Sequence, residues 1–170
     1  TLIDLVRQCH QRGIKVILDA VVHASGTGFF AFRDVCEHGE HSRYRHWYFP
    51  HSFPLCERMP ANYDAWGYWY RLPKLNLAHP EVAAYMLDVL LYWAKEAQID
   101  GYRIDSCDEV SQRFLREARG QLRRLKSDFL IVGEIFYDAV PWLGGDQLDS
   151  VMHYPFFEAV RGLFATSQLT

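Results

Sequence analysis

Apolar positions along the chain follow two alternating rhythms. Leu2, Leu5, Val6 and Cys9 recur at helical spacing within Leu2 to Arg12, and Gly13 follows as a stop. Lys15 to Val22, KVILDAVV, is then an apolar run broken only by Asp19. Such a run is the pattern of a strand covered on both faces, as in a parallel sheet. An acid inside it must be paired or line a cavity. Pro80 to Gln98 returns to helical spacing, with Pro near its start and Val82, Tyr85, Met86, Val89, Leu90 and Trp93 on one face. In QIDGYRIDSCDEV, Gln98 to Val110, the apolar residues Ile99, Tyr102 and Ile104 surround Arg103 in a short strand that ends on Asp105. Ser111 to Lys126 reads as a basic amphipathic helix with Phe114, Leu115, Leu122 and Leu125 inward. LIVGEI, Leu130 to Ile135, is a second strand, ending near Glu134. Beyond a loop with Gly144 and Gly145, LDSVMHYPFFEAV reads as a strand turning into a helix.

Between these elements lies a long stretch, Ala24 to about Ala78, that is rich in Gly, Pro and aromatic residues and reads as irregular. Loops of this length in a compact domain are usually functional. Helices and strands otherwise alternate, which predicts an α/β fold with a parallel sheet. The strand ending on Asp105, the following helix and the strand ending near Glu134 form a βαβ unit, whose two strands lie parallel and close. Asp105 and Glu134 then project from the same ends of neighbouring strands, with Arg103 two residues before the first. Two carboxyls so placed suit glycoside cleavage, in which one attacks and the other trades a proton. The plainer reading of either acid alone is a helix cap or half of an ion pair.

Composition narrows the field. Nearly half of the 170 residues are apolar, ample for a core and unlike a disordered chain. A formal net charge of −3 gives no reason to expect nucleic acid or an anionic membrane as partner, and no apolar run is long enough to span a bilayer. Cys9, Cys36, Cys56 and Cys107 are scattered without a CxxC, which favours reduced thiols and a cytoplasmic protein. The first residues already read as the middle of a helix, so the natural N-terminus is expected upstream. His38, His41 and His46 match no zinc spacing, and the sequence calls for no metal or other cofactor. Trp47, Tyr48, Trp66, Tyr68, Trp69 and Tyr70 divide between core filling, the commoner role, and platforms on which sugar rings stack.

GYRIDSCDEV resembles the nucleophile motif of the α-amylase family of glycoside hydrolases, and IVGEIFYDA resembles its general-acid motif. KVILDAVVHA resembles the family's first conserved region, while GFFAFRDVCEHGEHSRYRHWY and LPKLN resemble its neopullulanase and cyclomaltodextrinase branch. The resemblance implies Asp105 as nucleophile, Arg103 as its charge partner and Glu134 as acid/base, acting with retention on α-glucans of the maltodextrin, cyclodextrin, pullulan or starch type. It places Lys74, Asp108, Glu109, Phe136 and Tyr137 around the substrate, and Asp19 and His23 as structural members of the site. Asp108 also suits a helix-capping role. For the chemistry, Asp105 must stay ionised and Glu134 must hold its proton near neutral pH.

Departures from the pattern accompany these matches. His23 stands where the family has Asn, Ala24 where it has a sugar-contacting His, and Phe136 and Tyr137 where the branch has Trp-His. Adjacent strand residues point to opposite faces, so His23 does not replace the missing His. The alternative is a degenerate amylase-like domain that binds glucan without cutting it. The resemblance also implies the segment of a (β/α)8 TIM barrel from the second helix to the sixth, holding strands three to six. Residues 1–23 and 79–170 belong to the barrel and 24–78 form a B-domain-like insertion after strand three. The family's third carboxylate, on strand seven, lies outside the sequence. Calcium, found in some family members, is not called for here. An opened barrel exposes strand edges and apolar faces, so the segment by itself is expected to self-associate and to be inactive.

Overall fold

The computed structural model describes residues 1–165. In chain order the elements are α1 (Leu2–His10), β1 (Ile17–Ala20), α2 (Phe30–His38), α3 (Pro80–Glu96), β2 (Gly101–Ile104), α4 (Gln112–Leu125), β3 (Leu130–Ile135), β4 (Ser150–His153) and α5 (Tyr154–Ala165). The four strands form one parallel sheet in the order β1-β2-β3-β4. A doubly wound sheet reverses its strand order part-way. Here the order runs straight through, as it does around a (β/α) barrel.

Register decides which side chains share a face. Asp19 pairs with Arg103, and Arg103 with Val132; Ile104 pairs with Gly133. Residues two apart on a strand point the same way. Asp19, Arg103, Asp105, Glu134 and Met152 therefore share one face. Leu18, Tyr102, Ile104, Ile131 and Ile135 share the other, which is packed by helices: the Tyr102 hydroxyl donates to the Leu90 carbonyl of α3 at 2.8 Å. Two glycines make room for close neighbours, Gly101 for the adjacent strand and Gly133 for the side chains packed beneath the sheet. A Cβ on Gly101 would lie 2.3 Å from the Leu130 carbonyl oxygen, and one on Gly133 would lie 2.5 Å from Leu148 Cδ1.

Aspartates sit at the entrances of two strands and join them to their neighbours. Asp100, just before β2, donates its N–H to the Val16 carbonyl at 2.7 Å and accepts the Val16 N–H through Oδ2 at 2.7 Å. Asp149, just before β4, makes the same pair of bonds with Ile131, at 2.9 Å each.

Several expectations change. β1 is covered on one face only, because four sequential strands do not curve far enough to close over their inner side; Ile17 and Val21 are exposed there. The stretch after Ala24 is not wholly irregular. α2 lies within it and buries Ala31, Phe32 and Val35, with Phe32 edge-on to Tyr48 and Tyr63 at 5.2 and 5.1 Å between ring centres. Trp47 is likewise core, packed against Tyr85 of α3 and donating its indole N–H to Glu81 at 3.1 Å. Trp66, Tyr68 and Trp69 are exposed. The buried stripe of α3 runs through Val82, Met86, Leu87, Leu90 and Ala94, which leaves Trp93 exposed. Leu5 and Leu125 are exposed as well. α5 buries none of its residues and presents Phe156, Phe157, Leu163 and Phe164 to solvent. Among the described residues no helix is long and apolar enough to cross a membrane.

Candidate active site

The site is built on the guanidinium of Arg103, which leaves β2 on the open face of the sheet. Nη1 bonds Asp19 Oδ1 at 2.8 Å and Asp105 Oδ1 at 2.5 Å, and Nη2 pairs with Glu134 Oε1 at 2.5 Å. Nε lies 3.3 Å from Met152 Sδ on β4. One planar fork thus gathers acids from three consecutive strands, the geometry at which Arg differs most from Lys. Burial works against the charge of Arg103, but its hydrogen bonds to Asp19 and Asp105 and the field of Glu134 outweigh that and make it harder still to deprotonate.

Glu134 is buried and fully engaged. The Ser106 N–H donates to Oε2 at 3.0 Å, the Tyr154 hydroxyl donates to Oε1 at 3.0 Å, and Arg103 pairs with the same Oε1. Burial pushes the carboxyl up, but the Ser106 amide, the Tyr154 hydroxyl and the Arg103 charge together hold it below the usual glutamate value. That is opposite to the proton-holding state expected from the sequence, because the Ser106 amide and the Tyr154 hydroxyl bond the carboxylate and Arg103 serves Glu134 as well as Asp105. Ser106 reaches this position with a left-handed backbone, φ +41°, a conformation uncommon for a residue with a side chain.

The remaining residues expected at the site fall into two groups around this centre. Asp19 is paired, as an acid within an apolar run must be, though it stands on the open side of the sheet. His23 is buried and its Nδ1 has no hydrogen-bond partner; burial depresses its pKa, against the pull of Asp105 and Glu109. Its carbonyl accepts the Leu75 N–H at 2.8 Å, and Ala24 bridges Lys74, which brings the end of the long excursion back beside β1. Lys74 then reaches Glu109, Nζ to Oε2 at 2.5 Å. Asp108 does not cap α4, whose N-cap is Ser111; it lies in a tight turn and accepts the Tyr137 hydroxyl at 3.0 Å. Phe136 packs against Tyr154, ring centres 4.3 Å apart. Ser106 and Tyr154 escaped the sequence reading. One acts through its backbone and the other from the start of a helix, so neither leaves a motif.

The loop histidines do not converge. His38 Nδ1 lies 3.1 Å from the Asp34 carbonyl, His41 stands beside Glu40 on the surface, and His46 stacks on His79. Among the described residues no group of three His, Cys, Asp or Glu side chains could hold a metal ion.

The family model for the α-amylase catalytic domain matches residues 1–169. The chain belongs to the α-amylase family. It is 46% identical over 170 residues to a cyclomaltodextrinase of Geobacillus thermopakistaniensis (strain MAS1), covering all of this chain and 29% of that protein. It is 47% identical over 166 residues to neopullulanase 2 of Thermoactinomyces vulgaris, covering 97% of this chain and 28% of that one. The α-amylase chain described here therefore spans less than a third of the length of these curated relatives. Among solved structures it resembles the cyclic α-maltosyl-(1→6)-maltose hydrolase of Arthrobacter globiformis, with a TM-score of 0.91 and 36% identity, over 95% of this chain and 37% of that one. A solved cyclomaltodextrinase aligns with a TM-score of 0.90 and 44% identity, over 94% and 27%. With the family known, the straight-ordered parallel sheet is a segment of the α-amylase (β/α)8 barrel.

Proposed function

We propose that this chain carries the acid pair of a retaining hydrolase of α-glucans, of the maltodextrin, cyclodextrin, pullulan or starch type. The observation that carries this reading is the sharing of one Arg103 guanidinium by Asp105 and Glu134 at the carboxyl ends of adjacent parallel strands. In a (β/α)8 barrel that end holds the active site. Asp105 attacks the anomeric carbon while Glu134 gives its proton to the departing glycosidic oxygen, leaving a glycosyl ester on Asp105. Water, deprotonated by Glu134, then attacks the same carbon and frees Asp105. Glu134 must be protonated for the first step, and the three donors on it oppose that. Filling of the cleft by a sugar, which excludes water and weakens the carboxylate's solvation, acts in the required direction.

Lys74, Glu109, Asp108, Phe136 and Tyr137 form the substrate rim in this reading. Residues 24–78 are the B-domain-like insertion and the rest is barrel. The segment alone is inactive, since its inner sheet face is open to water and the family's third carboxylate is not in it. By the same exposure it self-associates.

Asp105→Asn or Glu134→Gln in the full-length protein is expected to remove turnover of maltodextrin and cyclodextrin, each by at least about a hundredfold. Full activity in either variant refutes the assignment. A second reading, a glucan-binding domain without catalysis, is favoured by Ala24 and by the lowered Glu134. Binding of the same glucan without hydrolysis by the unaltered full-length protein decides for it.

A further inference from the structure

Glu134, read as acid/base, must alternate between carboxylic acid and carboxylate within one turnover. Of its three anchors, the Arg103 guanidinium and the Ser106 N–H can only donate, while Asp105, the other carboxylate within hydrogen-bond reach, can only accept. The two donors have no bond to offer the proton when Glu134 carries it, and Asp105 has none to offer the carboxylate. The third anchor differs. A phenol hydroxyl rotates about its C–O bond and both donates and accepts. Tyr154 opens α5 directly after β4, its ring is tilted on Phe136 at 34°, and its hydroxyl lies 3.0 Å from Oε1. It donates to the carboxylate and, by turning its hydrogen away, accepts from the acid.

The geometry points to Tyr154 as a positioning residue for Glu134, the single anchor of the three that serves both protonation states of the carboxyl. This rests on the reading of Glu134 as the acid/base. The charged and titratable groups facing Glu134 are Arg103 from β2, Asp105 just beyond it and Tyr154 itself. Asp19 and His23 act at one remove, through Arg103 and Asp105. Phe136 fixes the Tyr154 ring from one side, so loss of the hydroxyl alone leaves that packing in place. A purely structural tyrosine predicts no change in the pH profile on that loss.

The test is Tyr154→Phe in the full-length protein, with kcat and kcat/KM for maltodextrin followed from pH 4 to 9. Loss of the hydroxyl takes a bond from both states, but the charge-assisted bond to the carboxylate is the stronger, so the pH at which Glu134 loses its proton rises. The alkaline limb of the profile should therefore move upward by about half to one pH unit. The acid limb should stay in place, and kcat should fall about tenfold with KM nearly unchanged. Tyr154→Leu, which also lacks the hydroxyl, should shift the limb in the same sense and serves if the Phe variant does not fold. An unmoved alkaline limb in a folded variant overturns the inference. Glu134→Gln, measured alongside, separates the two readings. If it is dead and the Tyr154→Phe limb is unmoved, only the role of Tyr154 fails. If it is active, the reading of Glu134 fails and the role of Tyr154 with it.

Discussion

Replacing Asp100 by Asn should weaken the fold far from the chemistry, and the structure sets the size of the effect. Asp100 is buried and accepts from Lys126 through Oδ1 and from the Val16 N–H through Oδ2 at 2.7 Å; His10 Nε2 lies 2.8 Å from Oδ2 and Lys15 3.3 Å from Oδ1. Asn keeps one acceptor but turns an NH2 toward a donor on the other side. Lys15 is exposed and Lys126 partly so, and both can return to water. The Asn oxygen then stays on the Val16 N–H with the NH2 on the lysine side, and the cost is the loss of the charge-assisted bonds to a buried group, about 2–3 kcal/mol. In a barrel-sized domain that is a fall in Tm of roughly 5–10 °C. The pH dependence gives a sharper check. Burial pushes the Asp100 carboxyl up, but Lys126, the Val16 N–H, His10 and Lys15 outweigh it and hold the group well below the usual aspartate range. A carboxyl depressed in the folded state stabilises fully above its unfolded pKa, about 4, and loses that contribution as pH falls through its folded value. Thermal unfolding of the full-length protein, followed by circular dichroism, should show a wild-type to Asn gap that is flat from pH 7 to 5 and closes below pH 4. Equal stability at pH 7, or a gap unchanged at pH 3, would refute the reasoning.

Other expectations concern packing and the site. Gly101→Ala should cost about 1–3 kcal/mol or prevent folding, since its Cβ would meet the Leu130 carbonyl oxygen at 2.3 Å and part β2 from β3; urea unfolding measures this. Arg103→Lys should lower kcat/KM by about a hundredfold or more although the charge is kept, because an ammonium cannot fork between Asp19, Asp105 and Glu134. Normal kinetics in that variant would show the fork to be dispensable. Lys74→Met and Glu109→Gln should prove non-additive in a double-mutant cycle of KM if their ion pair holds the cleft rim, and additive effects would separate them.

Much of the frame was legible because it is written in periodicity. The apolar runs around Arg103 and Gly133 gave the parallel neighbours, and the straight alternation of helix and strand gave their order. Asp105 and Glu134 met as the βαβ argument required. What periodicity could not carry was long-range reach. Nothing in the spacing of Arg103 and Asp105 says that the Ser106 amide, the Tyr154 hydroxyl and the same guanidinium all converge on Glu134, and those contacts together reverse the expected direction of the Glu134 pKa. α2 was missed because its stripe of Ala31, Phe32 and Val35 sits among glycines and aromatics typical of loops. Helical spacing alone puts Trp93 and Leu125 inward, whereas the buried stripes run through Met86, Leu90 and Ala94 of α3 and Leu115, Ala118 and Leu122 of α4 and leave both exposed.

The carboxylates at the strand entrances have a consequence for how this scaffold tolerates change. Asp100 and Asp149 each grip a neighbouring backbone by its amide and its carbonyl, so sliding one strand past the next by a single residue would break both bonds at once. Such a slip would also swing an acid to the wrong side of the pleat. Alignment is therefore secured at the floor of the barrel, while the chemistry sits at its mouth. Loops at the mouth that carry neither Ser106 nor Tyr154 are free to lengthen, shorten or be exchanged without disturbing the spacing of the acids, and that is where a designer should begin when altering which sugar the cleft accepts.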